Sequence, residues 1–193
     1  MMNHALRRTR LRVVVALATI GLGATGIVAA TSAGASEAST ARTSAARRCP
    51  PVTWGSTPET LSGSAPDAIV GARAGRHTCF DRFVVDIAGA AAGFDVRYVD
   101  AVYFGGAGHR VELRGSAVLR VIVRAPAPGT IGHNETELVD VDGFRTIRQV
   151  AMVDAELMPR SMMALGVRAR LPFRVFVIAG PTSRVVVDVA HRW

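Results

Sequence analysis

One hexapeptide pattern occurs twice in this chain, as Arg82-Phe83-Val84-Val85-Asp86-Ile87 and, 102 residues later, as Arg184-Val185-Val186-Val187-Asp188-Val189. Alternation at period two places Phe83, Val85 and Ile87 on one face of an extended strand and Arg82, Val84 and Asp86 on the other. Val185, Val187 and Val189 repeat the apolar face in the second copy. Valine-rich alternation of this kind does not suit a helix, and its duplication implies two equivalent strands in a pseudo-symmetric β domain. Arg82 and Asp86, like Arg184 and Asp188, stand four apart on one strand face. There they are expected to act as structural strand pairs that bond to neighbouring strands and blunt a sheet edge.

Further strand candidates lie at 52–54, 69–70, 79–87, 94–99, 111–113, 119–123, 144–153, 162–168, 173–178 and 184–190. Glycine, proline and polar turn signals separate them, and 57–66 reads as turn chemistry. The region after Gly71, with Arg76, His77 and Cys79, reads as a glycine-bounded polar loop feeding the first copy of the repeat. No ten-residue window of the domain carries a helical period. The expected fold is therefore all-β, a single-domain β-sandwich of about nine short strands with internal pseudo-symmetry.

The N-terminus has a different character. Arg7, Arg8, Arg10 and Arg12 precede an apolar run at 13–30, and Ala33-Gly34-Ala35 satisfies the small-residue rule for signal-peptide cleavage. Residues 1–35 are expected to be a signal peptide, 36–48 a disordered linker of Ser, Thr, Ala and Arg, and 49–193 the folded domain. Export takes four of the 23 basic residues, all arginine in this chain, and none of the 15 acidic ones, which leaves a net charge of +4. That balance does not call for nucleic acid. No stable membrane insertion is expected once the signal segment is cleaved, and the protein should be extracellular or cell-wall associated.

An oxidising compartment favours pairing of the two cysteines, Cys49 and Cys79, in a structural disulfide. Closing a loop of 30 residues would contribute about 3.5 kcal/mol by the loop-entropy account.

Catalytic and metal chemistry find little support. His77, His109, His133 and His191 fall in separate loops or strand ends without ligand spacing, and His133-Asn134-Glu135 reads as a solvated loop. Arg114-Gly115-Ser116 is a turn rather than a nucleophile elbow. Met152, Met158, Met162 and Met163 read as core fillers or loop residues. No catalytic residue, metal ligand or cofactor is assigned. The densest polar constellation is Arg76, His77 and Asp81 beside Arg82. It is the candidate ligand site, suited to a small anion or a sugar, although strand-pairing roles weigh more heavily for Arg82.

Several stretches carry a resemblance: VTWGS after the first cysteine, GARAGRHTCFDRFVVDIAG, GFDVRYVD, LRVIVRAP, GFRTIRQV and the terminal GVRARLPFRVFVIAGPTSRVVVDVAHRW. Together they resemble the AMIN-like domain family across the whole of 49–193. The family is found among exported, often lipid-anchored proteins of high-G+C Gram-positive bacteria and is related to the N-terminal domain of cell-wall amidases. The resemblance implies a two-sheet, non-catalytic module of the cell envelope that binds peptidoglycan or another wall component. A cell-wall glycan or an envelope protein is the implied partner, with a secreted structural or protein-interaction domain as the alternative. Two departures stand out. Glu156-Leu157 replaces the Glu-Gly usual in relatives, and no lipobox precedes Cys49, which implies a released or wall-retained protein.

Overall fold

The computed structural model describes residues 49–104, 108–127, 136–154 and 160–193. The expected signal segment and linker, the stretch His133-Asn134-Glu135, Met158 and the departure at Glu156-Leu157 lie outside the described residues. Eleven strands and no helix occur among the described residues. They are β1 (Glu59–Leu61), β2 (Ile69–Arg76), β3 (Phe80–Ala88), β4 (Phe94–Val99), β5 (Tyr103–Phe104), β6 (His109–Arg110), β7 (Ala117–Val123), β8 (Ile147–Asp154), β9 (Ser161–Val167), β10 (Phe173–Ile178) and β11 (Thr182–Ala190). A five-stranded antiparallel sheet in the order β1-β4-β7-β9-β8 packs on a four-stranded sheet in the order β10-β11-β3-β2, while β5 and β6 form a small hairpin. The architecture is the expected sandwich.

Its core is built from the alternate positions anticipated for the repeat. Phe83, Val85, Ile87, Val185, Val187 and Val189 are all fully buried and meet Val96, Leu119, Val121 and Leu165 from the opposite sheet. A fully buried aliphatic or aromatic side chain stabilises by roughly 1.5–3 kcal/mol relative to exposure, so these six positions anchor the four-stranded sheet. The two copies of the repeat are direct neighbours, paired antiparallel from Phe80↔Ala190 to Ala88↔Thr182. They form the interior of their sheet, whose edges are β10 and β2. The expectation that Arg82, Asp86, Arg184 and Asp188 guard an edge is thereby corrected: edge protection is supplied elsewhere. Beside β10, Phe173 N–H donates to the Gly55 carbonyl (2.8 Å) and Val175 N–H to Glu59 Oε2 (2.9 Å), so the 54–59 segment covers that edge.

Four local readings also change. Residues 52–54 form no strand. Pro50 and Pro51 precede them, and the chain there is held by Cys49–Cys79 (Cα–Cα 5.3 Å) rather than by a ladder. The short strand β1 instead falls inside the span read as turn, where β4 offers its free edge to Glu59, Thr60 and Leu61. Residues 71–76, expected as a loop, extend β2, because backbone pairing with β3 needs no particular side chain and imposes itself on a run of Gly and Ala. Near 111–113 the ladder involves Tyr103↔Arg110 and Phe104↔His109. Val111 and Leu113 pack instead over Val102, Val153 and Ala164, in a second small apolar cluster.

Candidate functional site

The outward-facing side chains of the four-stranded sheet form a grid fixed by the strand register. One row reads Arg174, Asp188, Arg82, Gly75; the next Phe176, Val186, Val84, Arg73; the third Ile178, Arg184, Asp86, Gly71. Antiparallel pairing of the two R-x-x-x-D segments in this register sets the arginine of each against the aspartate of the other. At one end that relation is fully used. Arg82 grips Asp188 bidentately, Nε to Oδ1 at 2.6 Å and Nη2 to Oδ2 at 2.9 Å, and Arg174 Nε donates to the same Oδ2 at 2.9 Å. Asp188 is completely buried beneath these guanidinium groups. Its hydrogen bond holds the Arg82 guanidinium above its ordinary value, against the opposing effect of burial.

Aromatic rings enclose the same cations. The Arg174 guanidinium lies 4.3 Å from the centroid of the Trp54 ring and 5.5 Å from that of Phe176, and Arg82 lies 5.2 Å from Phe80 and 5.4 Å from Phe176. His77 stacks on Phe80 with ring centroids 4.4 Å apart.

At the other end of the grid the symmetry breaks. Asp86 is taken by Arg73, and Arg184, which faces Asp86 in register, has no hydrogen bond or ion pair among the described residues. His77 also lacks a polar partner there, its ring stacked on Phe80. Gly75 puts no side chain at one corner of the grid, and a groove of about 280 Å³ opens beside it. Arg73, His77, Arg82 and Arg184 line it around an apolar floor of Val84, Val186 and Ile178. The groove thus presents donors and positive charge over a hydrophobic base, the combination that holds an acidic ligand with apolar faces.

The three residues expected to form one ligand cluster are separated by the fold. His77 reaches the groove. Arg76 pairs in register with Asp81, on the parity opposite to Gly75 and Arg82, and its guanidinium approaches Gly143 instead. Asp81 is fully buried. Its Oδ2 accepts Thr146 N–H (2.5 Å) and Ile147 N–H (3.1 Å), and its Oδ1 meets His191 Nε2 at 3.0 Å. A carboxylate fully buried and held by three donors of the fold is closed to a ligand. The signal was present in the sequence, because Asp81 shares the parity of Phe83 and Val85 and period two therefore turns it inward. Arg174 and Phe176 were legible in the same way from the alternation of 173–178. Trp54 carried no such signal, since it reaches the face through an irregular segment.

No curated protein and no solved structure matches this chain. Residues 67–191, which include the whole grid, match the family model of the AMIN-like domain, and the chain belongs to that family.

Proposed function

We propose that this AMIN-like domain is a non-catalytic module of the cell envelope that binds peptidoglycan on the outer face of its four-stranded sheet. Family membership supports a wall-related role. The observation that carries the assignment is the pair of side chains without polar partners among the described residues, Arg184 and His77, set beside Arg73 and Arg82 over an apolar floor. Peptidoglycan offers the complement, since its peptide stems carry carboxylates and its sugar rings have apolar faces. The carboxylates of this region favour binding over chemistry. Asp188 and Asp86 are held by arginines and Asp81 by backbone donors and His191, so none stands ready as a general base.

In this reading residues 1–35 direct export, 36–48 form a tether, and the domain is retained at the wall without a catalytic role or cofactor. The test is co-sedimentation with insoluble peptidoglycan. A His77→Ala, Arg184→Ala double variant should keep the wild-type melting temperature and be retained several-fold less, while Arg76→Ala should match wild type. Equal retention of the double variant and wild type would refute this face. Failure of the wild type itself to sediment would favour the alternative of a protein-interaction domain, for which the edge strand β2 with its exposed Val70 offers a surface.

A further inference from the structure

A second cationic feature lies at the end of the sandwich marked by the disulfide. Cys49, Arg145, Arg168, His191 and Arg192 line a cleft of about 360 Å³. These residues come from four separate parts of the chain, and among the described residues no carboxylate side chain lines the cleft. Elsewhere in this arginine-rich domain Arg73, Arg82, Arg97, Arg110, Arg114, Arg120 and Arg174 each pair with Asp or Glu, whereas here three guanidinium groups unpaired among the described residues converge on one cleft. Gathering like charges costs free energy unless something anionic joins them.

The cluster is held in place by neutral oxygens and by one buried acid behind it. Arg168 Nη2 donates to the His191 carbonyl at 2.7 Å, and Arg192 Nη2 donates to the Cys49 carbonyl. A guanidinium has five N–H donors, so each keeps most of its capacity. Arg145 has no hydrogen bond or ion pair among the described residues, yet its backbone is placed firmly, because the next two N–H groups, of Thr146 and Ile147, both bond to Asp81 Oδ2. The other oxygen of Asp81 meets His191 Nε2, and the ring's Nδ1 lies 3.2 Å from the Thr78 carbonyl. Asp81 is thus a positioning residue that sets both the Arg145 segment and the His191 ring. The Cys49–Cys79 bond fixes the rim.

The geometry points to a binding site for a phosphate-class dianion in this cleft, separate from the groove on the sheet face. A single carboxylate offers two oxygens and one negative charge, enough for one guanidinium fork. Three guanidinium groups around one small cleft match a ligand with more oxygens and a second charge, while the His191 ring, engaged at both nitrogens, forms part of the wall. Free phosphate and a phosphomonoester on a larger molecule share this chemistry. This inference does not depend on peptidoglycan binding.

The experiment is calorimetric titration of the full chain with inorganic phosphate, glucose 1-phosphate and acetate. Saturable binding of inorganic phosphate is expected, with acetate markedly weaker. Binding of glucose 1-phosphate as well would assign the site to phosphomonoesters, and its exclusion would assign it to the free ion. Arg145→Gln, which removes no bond within the fold, should weaken phosphate binding about tenfold, the loss of one charge-assisted interaction. Arg110→Gln removes the same charge from the β5–β6 hairpin and should leave it unchanged. Retention on peptidoglycan should be unaffected by Arg145→Gln, which separates the two sites. Absence of saturable phosphate binding, equal affinity for acetate, or an Arg145→Gln variant that binds as wild type would overturn the assignment.

Discussion

Arg184 and Asp86 face each other across β11 and β3 in the same register relation as Asp188 and Arg82, yet only the second pair is bonded. Arg73, reaching over from β2, takes Asp86. The third row of the grid therefore has a spare cation where the first has a saturated carboxylate. One duplicated motif has become a structural clamp in one place and an available donor in the other.

The first prediction separates those two roles. Asp188→Ala should lower unfolding free energy by about 2–4 kcal/mol, because it removes a buried acceptor from two arginines and leaves them crowded against each other. Arg184→Ala should change it by less than about 0.5 kcal/mol, as expected for a side chain without a partner. Denaturant melts of the two variants provide the comparison, and a larger loss for Arg184→Ala would reverse the assignment.

Asp81→Ala should be comparably damaging, costing about 3 kcal/mol, since the buried Thr146 and Ile147 N–H groups would lose their acceptor. Amide hydrogen exchange offers a local readout. Faster exchange concentrated at Thr146 and Ile147 is expected, and uniform exchange across the domain would indicate global loosening instead.

Two carboxylates should give opposite pH responses. Burial raises the pKa of Glu59, and the Val175 N–H only partly counteracts it. The fold therefore prefers the protonated form, and the charged form costs stability once pH exceeds the unfolded value of about 4.3. Glu59→Gln keeps an acceptor for Val175 and should raise the melting temperature at pH 7, with the gain shrinking as pH falls toward that value. For Asp95, burial acts upward but is outweighed by hydrogen bonds and charge from Arg97 and Arg120, which hold its pKa below the ordinary value. Its contribution is complete above the unfolded pKa and fades as pH drops through the lower folded one. Asp95→Asn should therefore destabilise at pH 7 and lose that effect in strong acid. Melting curves of both variants between pH 3 and 7 check the signs.

Removing the disulfide by Cys79→Ala should cost about 2–5 kcal/mol. The bond also bears on the grid, because the chain it anchors runs on to Trp54, whose ring lies against Arg174. Trp54 fluorescence in the variant should shift toward the exposed form even under conditions where the domain remains folded. An unchanged emission maximum would show that the contacts to Phe80 and Arg174 hold the ring without help from the covalent link.

The sequence by itself determined the all-β class, the core face of the repeated strands and the inward parity of Asp81, because period-two alternation is a local property of the extended chain. It also brought the two cysteines together as a pair, since the chain contains no others. What it left open was non-local. Which strand lies beside which, and in what register, depends on contacts between segments up to about a hundred residues apart, and those decide whether an arginine meets an aspartate or stands alone. Strand β1 and residues 71–76 take their conformation from the edges they pair with, where backbone hydrogen bonding outweighs weak local preference. The separation of Arg76, His77 and Asp81 has the same origin. Close in sequence, they are divided by the alternation of β2 and β3 and the tight turn between them, in which His77 N–H donates to the Phe80 carbonyl at 3.0 Å: the register partners Arg76 and Asp81 share the face away from the groove, with Asp81 buried, while His77 reaches the groove. The cation cluster at the disulfide end was invisible for the strongest form of this reason: Arg145, Arg168 and Arg192 share no motif, and only the tertiary fold, through Asp81, brings them around one cleft.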